Sequence, residues 1–252
     1  TFRILGHLLL LLTAMMLICL IFPIIYGEDD LQAFAITAGI TSAVGGLLMY
    51  LGRGASRKLT RRNGYLIVSL AWIIFSIFGM LPFYLSGYIP SITDAFFETM
   101  SGVSSTGASI LDNIEELPHG LLFWRSLTQW IGGLGIILFT IAVLPIFGFN
   151  GVQMFAAEAT GPLHDKVHPR IGVTARWVWT LYTGLTVILF FLLLLGDMNW
   201  FDSICHALTA TGTGGFSTKQ ASIAYYNSPY IEYVLSIFMF ISGINFILMP
   251  TF

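Results

Sequence analysis

The chain has 252 residues, 56% of them hydrophobic and only 10% charged, with a net charge of −2 and a mean hydropathy of +0.82. Soluble domains carry about 25% charged residues and interrupt their apolar runs more often, so this composition specifies a polytopic helical membrane protein. It offers no basic tract with interleaved aromatics for nucleic acid and no GxxxxGK[ST] loop for a nucleotide, and Cys19 and Cys205 lack the spacing of a zinc site or a disulfide framework.

Six apolar segments are each long enough to cross a hydrocarbon core of about 30 Å as helices. They run over 4–26, 31–51, 65–85, 121–147, 173–195 and 231–252. The first exceeds the usual apolar region of a signal peptide and has no small-x-small cleavage site, so it reads as a retained span. Gly27-Glu28-Asp29-Asp30 is a tight turn, which makes the first two spans a hairpin. Arg3, Arg53, Arg57, Lys58, Arg61, Arg62, Lys166, Arg170 and Arg176 fall on one side of the membrane, and only Arg125 and Lys219 on the other. The positive-inside rule makes the first side cytoplasmic, with both ends of the sequence there. Of the acids, only Glu158 and Asp165 share that side. Either acids simply do not bear on topology, or an acidic outer face concentrates cations.

Two outer connections are too long and too apolar for simple loops. Residues 93–103 and 200–211 each have a helix start signal, with Thr93 or Asn199 as N-cap and Asp94 or Asp202 in the first turn. A helix of about 10 residues reaches about 15 Å, half the membrane, so both read as re-entrant half-helices. Non-helical backbone at that depth must be buried in protein or line a water-filled cavity. The chain also repeats itself. At an offset of 108 residues Asp94 meets Asp202, Ser101 meets Thr209, Ser105 meets Thr213, Gly107 meets Gly215, Ser109 meets Ser217 and Gly135 meets Gly243.

Behind the half-helices lie "SSTGAS" (104–109) and "TGTGGFS" (211–217), small, uncharged and rich in hydroxyls. A dehydrated monovalent cation needs oxygen ligands, which an unwound backbone can supply as carbonyls. Ser104, Ser105, Thr106 and Gly107 form the first candidate filter strand, and Gly212, Thr213, Gly214 and Gly215 the second. Ser105, Thr106, Thr213 and Gly214 are the residues whose carbonyls would hold the ion. Gly107 and Gly215 supply conformations closed to side chains with a Cβ. Gly132, Gly133 and Gly135 are expected to permit close packing against a half-helix. Arg125, at the outer start of a span, is expected to snorkel to the interface, pairing with Glu98, Asp112 or Glu115 being the lesser alternative. His206 is expected to be a satisfied packing histidine. Asn245 faces either a cavity or a neighbouring helix.

"FWRSLTQWIGGLGIILFTIAVLP", "ATGTGGFST", "GINF" and "AAEATGP" followed by "PRI" together resemble the Trk/Ktr potassium-uptake superfamily, specifically its bacterial TrkH- and TrkG-like membrane subunits, along essentially the whole chain. The resemblance implies an all-α polytopic membrane protein built of an N-terminal helix hairpin and helix–pore loop–helix repeats around a pseudo-fourfold potassium-channel-like pore. It divides the chain into an N-terminal hairpin and basic loop (1–64), a first unit (65–160) and a second unit (161–252). It implies K+ as transported ion with no organic cofactor, the bacterial inner membrane as location, surrounding lipid, and a homodimer working with a cytosolic RCK-type nucleotide-binding regulatory subunit like TrkA. Nucleic acid is not an expected partner. Only two of the family's four units are present, so the sequence reads as the N-terminal half of a longer chain.

Potassium uptake through a channel-like filter is the leading function, with a sodium- or proton-coupled potassium symporter using the same filter as the alternative. An assembly subunit without a pore is disfavoured by the paired half-helices. An intramembrane hydrolase built on Ser104, Ser105 or Ser109 would need a general base, for which His119 is close only in sequence.

Overall fold

The computed structural model describes residues 2–53, 61–133, 135 and 171–243. Helices α1 (Phe2–Cys19) and α2 (Ile21–Tyr26) form one apolar crossing interrupted at Leu20. Pro23 accounts for the break, because it has no N–H to offer the Cys19 carbonyl. The chain carries on through Leu20 N–H to Met16 O and Ile24 N–H to Leu20 O, both 3.3 Å. Gly27 ends this crossing in the left-handed region, at φ 71°. Helix α3 (Leu31–Leu51) then returns along α1, completing the expected hairpin. The third crossing repeats the device. Pro82 separates α4 (Arg61–Gly79) from α5 (Leu81–Leu85), and the Gly79 carbonyl accepts the indole N–H of Trp124 at 2.9 Å.

The two units follow the order helix, half-helix, loop, helix. Their half-helices are α6 (Ile92–Val103) and α9 (Trp200–Thr211), each of 12 residues. At 1.5 Å per residue they reach about 18 Å, roughly half the bilayer. The second helices are α7 (His119–Gly133) and α10 (Pro229–Ser242), and α8 (Ile171–Leu195) opens the second unit. Among the described residues four helical segments are long and apolar enough to cross a membrane. The fourth span beyond 135, the inner loop with Glu158, Asp165, Lys166 and Arg170, the basic loop with Arg57 and Lys58, and the end of the sixth span with Asn245 lie outside the described residues.

Helix α7 occupies the centre. It packs against both half-helices, and every residue from Gly120 to Gln129 is buried. A large apolar core joins α1, α3, α4 and α5 to α6, α7 and the inner face of α9 (Phe201, Cys205, Leu208). A smaller one unites α8, α9 and α10 through Leu189, Leu193, Ala207, Ile231 and Leu235. The outward faces remain apolar, with Ile24 at 67%, Leu195 at 76% and Phe240 at 75% exposure, as surfaces that meet lipid or further protein require.

The N-terminal turn also anchors the central helix. Glu28 accepts the His119 backbone N–H at 2.7 Å and pairs with His119 Nδ1 at 2.6 Å, while His119 stacks on Tyr26 with centroids 3.8 Å apart. Asp30 lies buried against Gly120, and neither of its carboxyl oxygens makes a hydrogen bond. Burial first, then the Glu28 charge, pushes its pKa up to about 6, although the nearby N–H groups of Leu121 and of Asp30 itself pull partly back. A carboxyl with a raised folded pKa binds more protons folded than unfolded, so stability falls as pH rises from about 4 towards 6. Asp30→Asn is therefore expected to raise the thermal midpoint in detergent at pH 7.5 and to leave it nearly unchanged at pH 4. An equal effect at both pH values would show that the carboxyl is not perturbed.

Candidate functional site

Both half-helices begin on a side-chain cap. Ser91 Oγ accepts the Asp94 N–H at 3.3 Å, and Asn199 Oδ1 accepts the Asp202 N–H at 2.8 Å. Asn199 is the cap the sequence indicates, but Thr93 is not. Ser91 follows Pro90 in extended conformation (φ −86°, ψ 124°), so α6 starts one residue early and places Thr93 in its first turn. Asp202 does more than favour the helix start. It also accepts hydrogen bonds from Thr218 Oγ1 at 2.6 Å and Tyr226 OH at 2.8 Å, tying the chain after the second filter segment to α9.

The two helix ends share three hydrogen bonds, to which the first adds a weaker one from the Gly107 N–H to the Ser101 carbonyl at 3.4 Å. In the first, the N–H groups of Ser104, Ser105 and Thr106 donate to the carbonyls of Met100, Gly102 and Ser101 at 2.8, 2.9 and 2.9 Å. In the second, Gly212, Thr213 and Gly214 donate to Leu208, Ala210 and Thr209 at 3.1, 3.0 and 3.0 Å, the same three bonds 108 residues on. The Thr106–Ser101 and Gly214–Thr209 bonds close Schellman turns, which need a left-handed residue one position earlier. Ser105 (φ 54°) and Thr213 (φ 53°) supply it, and Gly107 (φ 76°) and Gly215 (φ 84°) are left-handed two residues on. The sequence points to the glycines for this conformation. That a serine and a β-branched threonine share it is a finding of the structure, and a costly conformation for both.

The candidate filter segments lie side by side. A Cβ on Gly107 would collide with the carbonyl oxygen of Gly214. Ser104, Thr106, Thr213 and Gly215 are exposed, whereas Gly212 and Gly214 are buried and Ser105 and Gly107 are half-buried. Exposure thus alternates along each segment, but out of phase by one residue along the 108-residue repeat.

Helix α7 holds both segments with one stripe. Arg125, Gln129, Gly132 and Gly133 stand at i, i+4, i+7 and i+8, on a single helical face. A Cβ on Gly132 would strike the Val103 carbonyl, and one on Gly133 would come 2.5 Å from Gly212 Cα, so both glycines permit close approach to the half-helix ends, as expected. Gln129 is fully buried between the segments. Its backbone carbonyl accepts Ser105 Oγ at 3.3 Å and its side-chain oxygen accepts the Phe216 N–H at 2.9 Å. The expectation for Arg125 is corrected. It does not snorkel. It is 2% exposed, and its Nε lies 2.8 Å from Glu98, itself 1% exposed. A guanidinium this deep must be paired and fully hydrogen-bonded, and the lesser sequence alternative, Glu98, is the partner found. His206 is satisfied as expected, with Nδ1 2.7 Å from the Asp202 carbonyl and Nε2 2.9 Å from Ser217 Oγ.

Gln129 escaped the sequence reading, although polar residues at 125, 128 and 129 in an apolar helix, followed by glycines at helical spacing, are the signal for such a stripe. The hydrolase alternative falls. His119 is bound to Glu28, while Ser104 shares a hydrogen bond with Thr106, Ser105 donates to Gln129 and Ser109 donates to Glu98.

A model of the family described as "TrkH: Cation transport protein" matches residues 30–252. The chain belongs to this family. The Trk system potassium uptake protein TrkH of Escherichia coli (strain K12) is 42% identical over 246 residues, 97% of this chain and 51% of its own. TrkG of the same organism is 35% identical over 245 residues, 96% of this chain and 50% of its own. The crystal structure of the potassium transporter TrkH from Vibrio parahaemolyticus matches with a TM-score of 0.83 at 34% identity, covering 98% of this chain and 50% of that one. The chain thus spans about half the length of the curated relatives it matches. Its fold is that of an all-α polytopic membrane protein of the TrkH family, with helix–pore loop–helix repeats.

Removing the Gln129 acceptor strands a buried N–H, a loss of about 1–3 kcal/mol. Gln129→Met is therefore expected to lower the thermal midpoint of the purified protein. Equal midpoints for Gln129→Met and wild type would show that the Phe216 contact contributes nothing.

Proposed function

We propose that this chain contributes to potassium uptake across the bacterial inner membrane, with the main chain at Ser104–Gly107 and Gly212–Gly215 coordinating dehydrated K+. The observation that carries this reading is the turn the two segments share, three equivalent hydrogen bonds and two matched pairs of left-handed residues, in loops that touch through Gly107 and Gly214. Successive residues of alternating handedness can turn neighbouring carbonyls to one side, which is how a backbone replaces the water around a monovalent cation. Carbonyls of Ser105, Thr106, Thr213 and Gly214 are the proposed ligands. The half-helices add the negative ends of their dipoles. A cavity of about 310 Å³ between the start of α6 and residues 110–117, lined in part by Asp94, Asp112 and Glu116, gives that face of the protein an acidic wall that attracts cations.

Two segments supply half of a fourfold ring, so the complete filter needs two more, and the proposed working form is the full-length chain as a homodimer with a cytosolic nucleotide-binding regulatory subunit. The relatives' designation as Trk system potassium uptake proteins supports K+ as cargo and a system of more than one component. The divisions at 64/65 and 160/161 are retained as the proposed units.

In a host lacking its own potassium uptake, the native full-length chain should restore growth on low potassium, and Gly107→Ser and Gly215→Ser should each abolish or sharply reduce it. Unchanged uptake in both variants would remove the filter assignment. Of the two, Gly107→Ser is expected to destabilise the fold more, because its Cβ meets the Gly214 carbonyl while the space beside Gly215 is open. Impermeant amine labelling should spare Lys58 and Lys166 in intact cells and modify them in inverted vesicles; the opposite pattern would reverse the orientation.

A further inference from the structure

Glu98 and His206 occupy equivalent positions in the two half-helices, 108 residues apart, and each hydrogen-bonds the serine two residues beyond its filter glycine. Glu98 accepts from Ser109 Oγ at 3.1 and 3.2 Å, and His206 Nε2 lies 2.9 Å from Ser217 Oγ. Arg125 joins the two arrangements. Its Nε donates to Glu98 at 2.8 Å, its Nη2 to Ser109 Oγ at 3.2 Å and its Nη1 to the Ser217 carbonyl at 3.1 Å. The guanidinium carbon also lies 4.1 Å from the centroid of the Phe216 ring, directly after Gly215. The second unit has no counterpart: the equivalent position is Tyr233, 71% exposed. One guanidinium therefore spans the outer ends of both segments.

We propose that Arg125, held by Glu98, is a positioning residue for ion discrimination, fixing the separation of the two filter segments by bonding Ser109 on one and the Ser217 carbonyl on the other. The inference rests on the filter reading above. Buried ion pairs contribute little net stability compared with apolar side chains of the same volume, yet they impose a specific geometry on the groups they bond. Guanidinium is suited to the task, because its rigid planar fork offers several donors in fixed directions, which an ammonium cannot reproduce. Discrimination between K+ and Na+ depends on the arrangement or stiffness of the oxygen ligands, so the separation of the segments is a quantity on which it depends.

The test uses the native full-length chain and reads three quantities: the rate of K+ uptake, the ability of Na+ to compete, and the thermal midpoint of the purified protein. Arg125→Lys keeps the charge and loses the fork. It should weaken discrimination against Na+ by about tenfold, the scale of one lost charge-assisted hydrogen bond. Ser109→Ala should weaken discrimination in the same direction with only a small drop in midpoint, because Glu98 and Arg125 keep their mutual bond, and Ser109→Thr, which keeps the hydroxyl, should hold discrimination at the wild-type level. If Arg125→Lys fails to fold, the Ser109 pair decides. Wild-type discrimination in Ser109→Ala, or in a folded Arg125→Lys, would overturn the proposal while a parallel Gly107→Ser that loses uptake leaves the filter reading standing. Unchanged uptake and discrimination in Gly107→Ser as well would defeat both.

Discussion

A main chain that leaves its helix half-way through a bilayer must pair the N–H groups it frees, and can leave carbonyls open only where they are buried in protein or line a water-filled cavity. The rest of the structure answers that requirement. The last turns of α6 and α9 close on themselves through the same three hydrogen bonds, so the chain can stop being helical without leaving its first free N–H groups unpaired. What lies beyond the turn is then held by side chains. Gln129 takes the Ser105 hydroxyl and the Phe216 N–H, Asp202 takes Thr218 and Tyr226, and Arg125 takes the Ser217 carbonyl.

Most of that work falls to α7, which explains its unusual burial. A helix exposed to lipid on one side could not carry arginine, glutamine and two glycines on one face at this depth and still bond the guanidinium and the amide oxygen, even though the Gln129 Nε2 makes no hydrogen bond among the described residues. Here that face meets the two half-helix ends, and its other residues meet the core of the N-terminal hairpin. The hairpin thus acts on the loops at second hand. Glu28 sits on the N-terminus of α7, where the helix dipole favours negative charge, and Trp124 is tied to the third crossing at Gly79. Displacing α7 along its axis would move Gln129 and Arg125 together, and both segments with them.

The sequence made the larger pattern legible because that pattern is set by long-range periodicities. Span length, the 108-residue repeat and the half-helix limits follow from runs of apolar residues and their interruptions; residues 200–211 are helical as read, and α3 covers 31–51. Kinks at Pro23 and Pro82 lie inside segments read as single spans, since proline in a membrane helix need not end it. The contacts that set the geometry were less legible, because they join residues distant in sequence. Arg125 near a span's outer end has the address of a snorkelling residue, and only the arrival of Glu98 from α6 and Ser217 from the far unit makes burial the better solution. Thr93 and Ser91 are both acceptable caps by residue type, and the choice rests on which of them is extended, which is Ser91.

Ser105 and Thr213 carry the last step. A left-handed residue at these positions is required by the turn, and glycine would take it without strain, whereas a side chain raises the energy by roughly 1–2 kcal/mol. The strain is therefore tolerated for what the side chain and the loss of freedom provide. The Ser105 hydroxyl reaches the Gln129 carbonyl, linking the first segment to the central helix. Thr213 makes no such link that is described, but a β-branched residue restricts the backbone far more than glycine does. A segment so restricted keeps its oxygens where they are when an ion enters or leaves, and a pair of segments that share one handedness pattern and one supporting helix does so in register. The glycines follow two residues later, at Gly107 and Gly215, where a second left-handed turn is needed and, at Gly107, no room remains for a Cβ beside the Gly214 carbonyl.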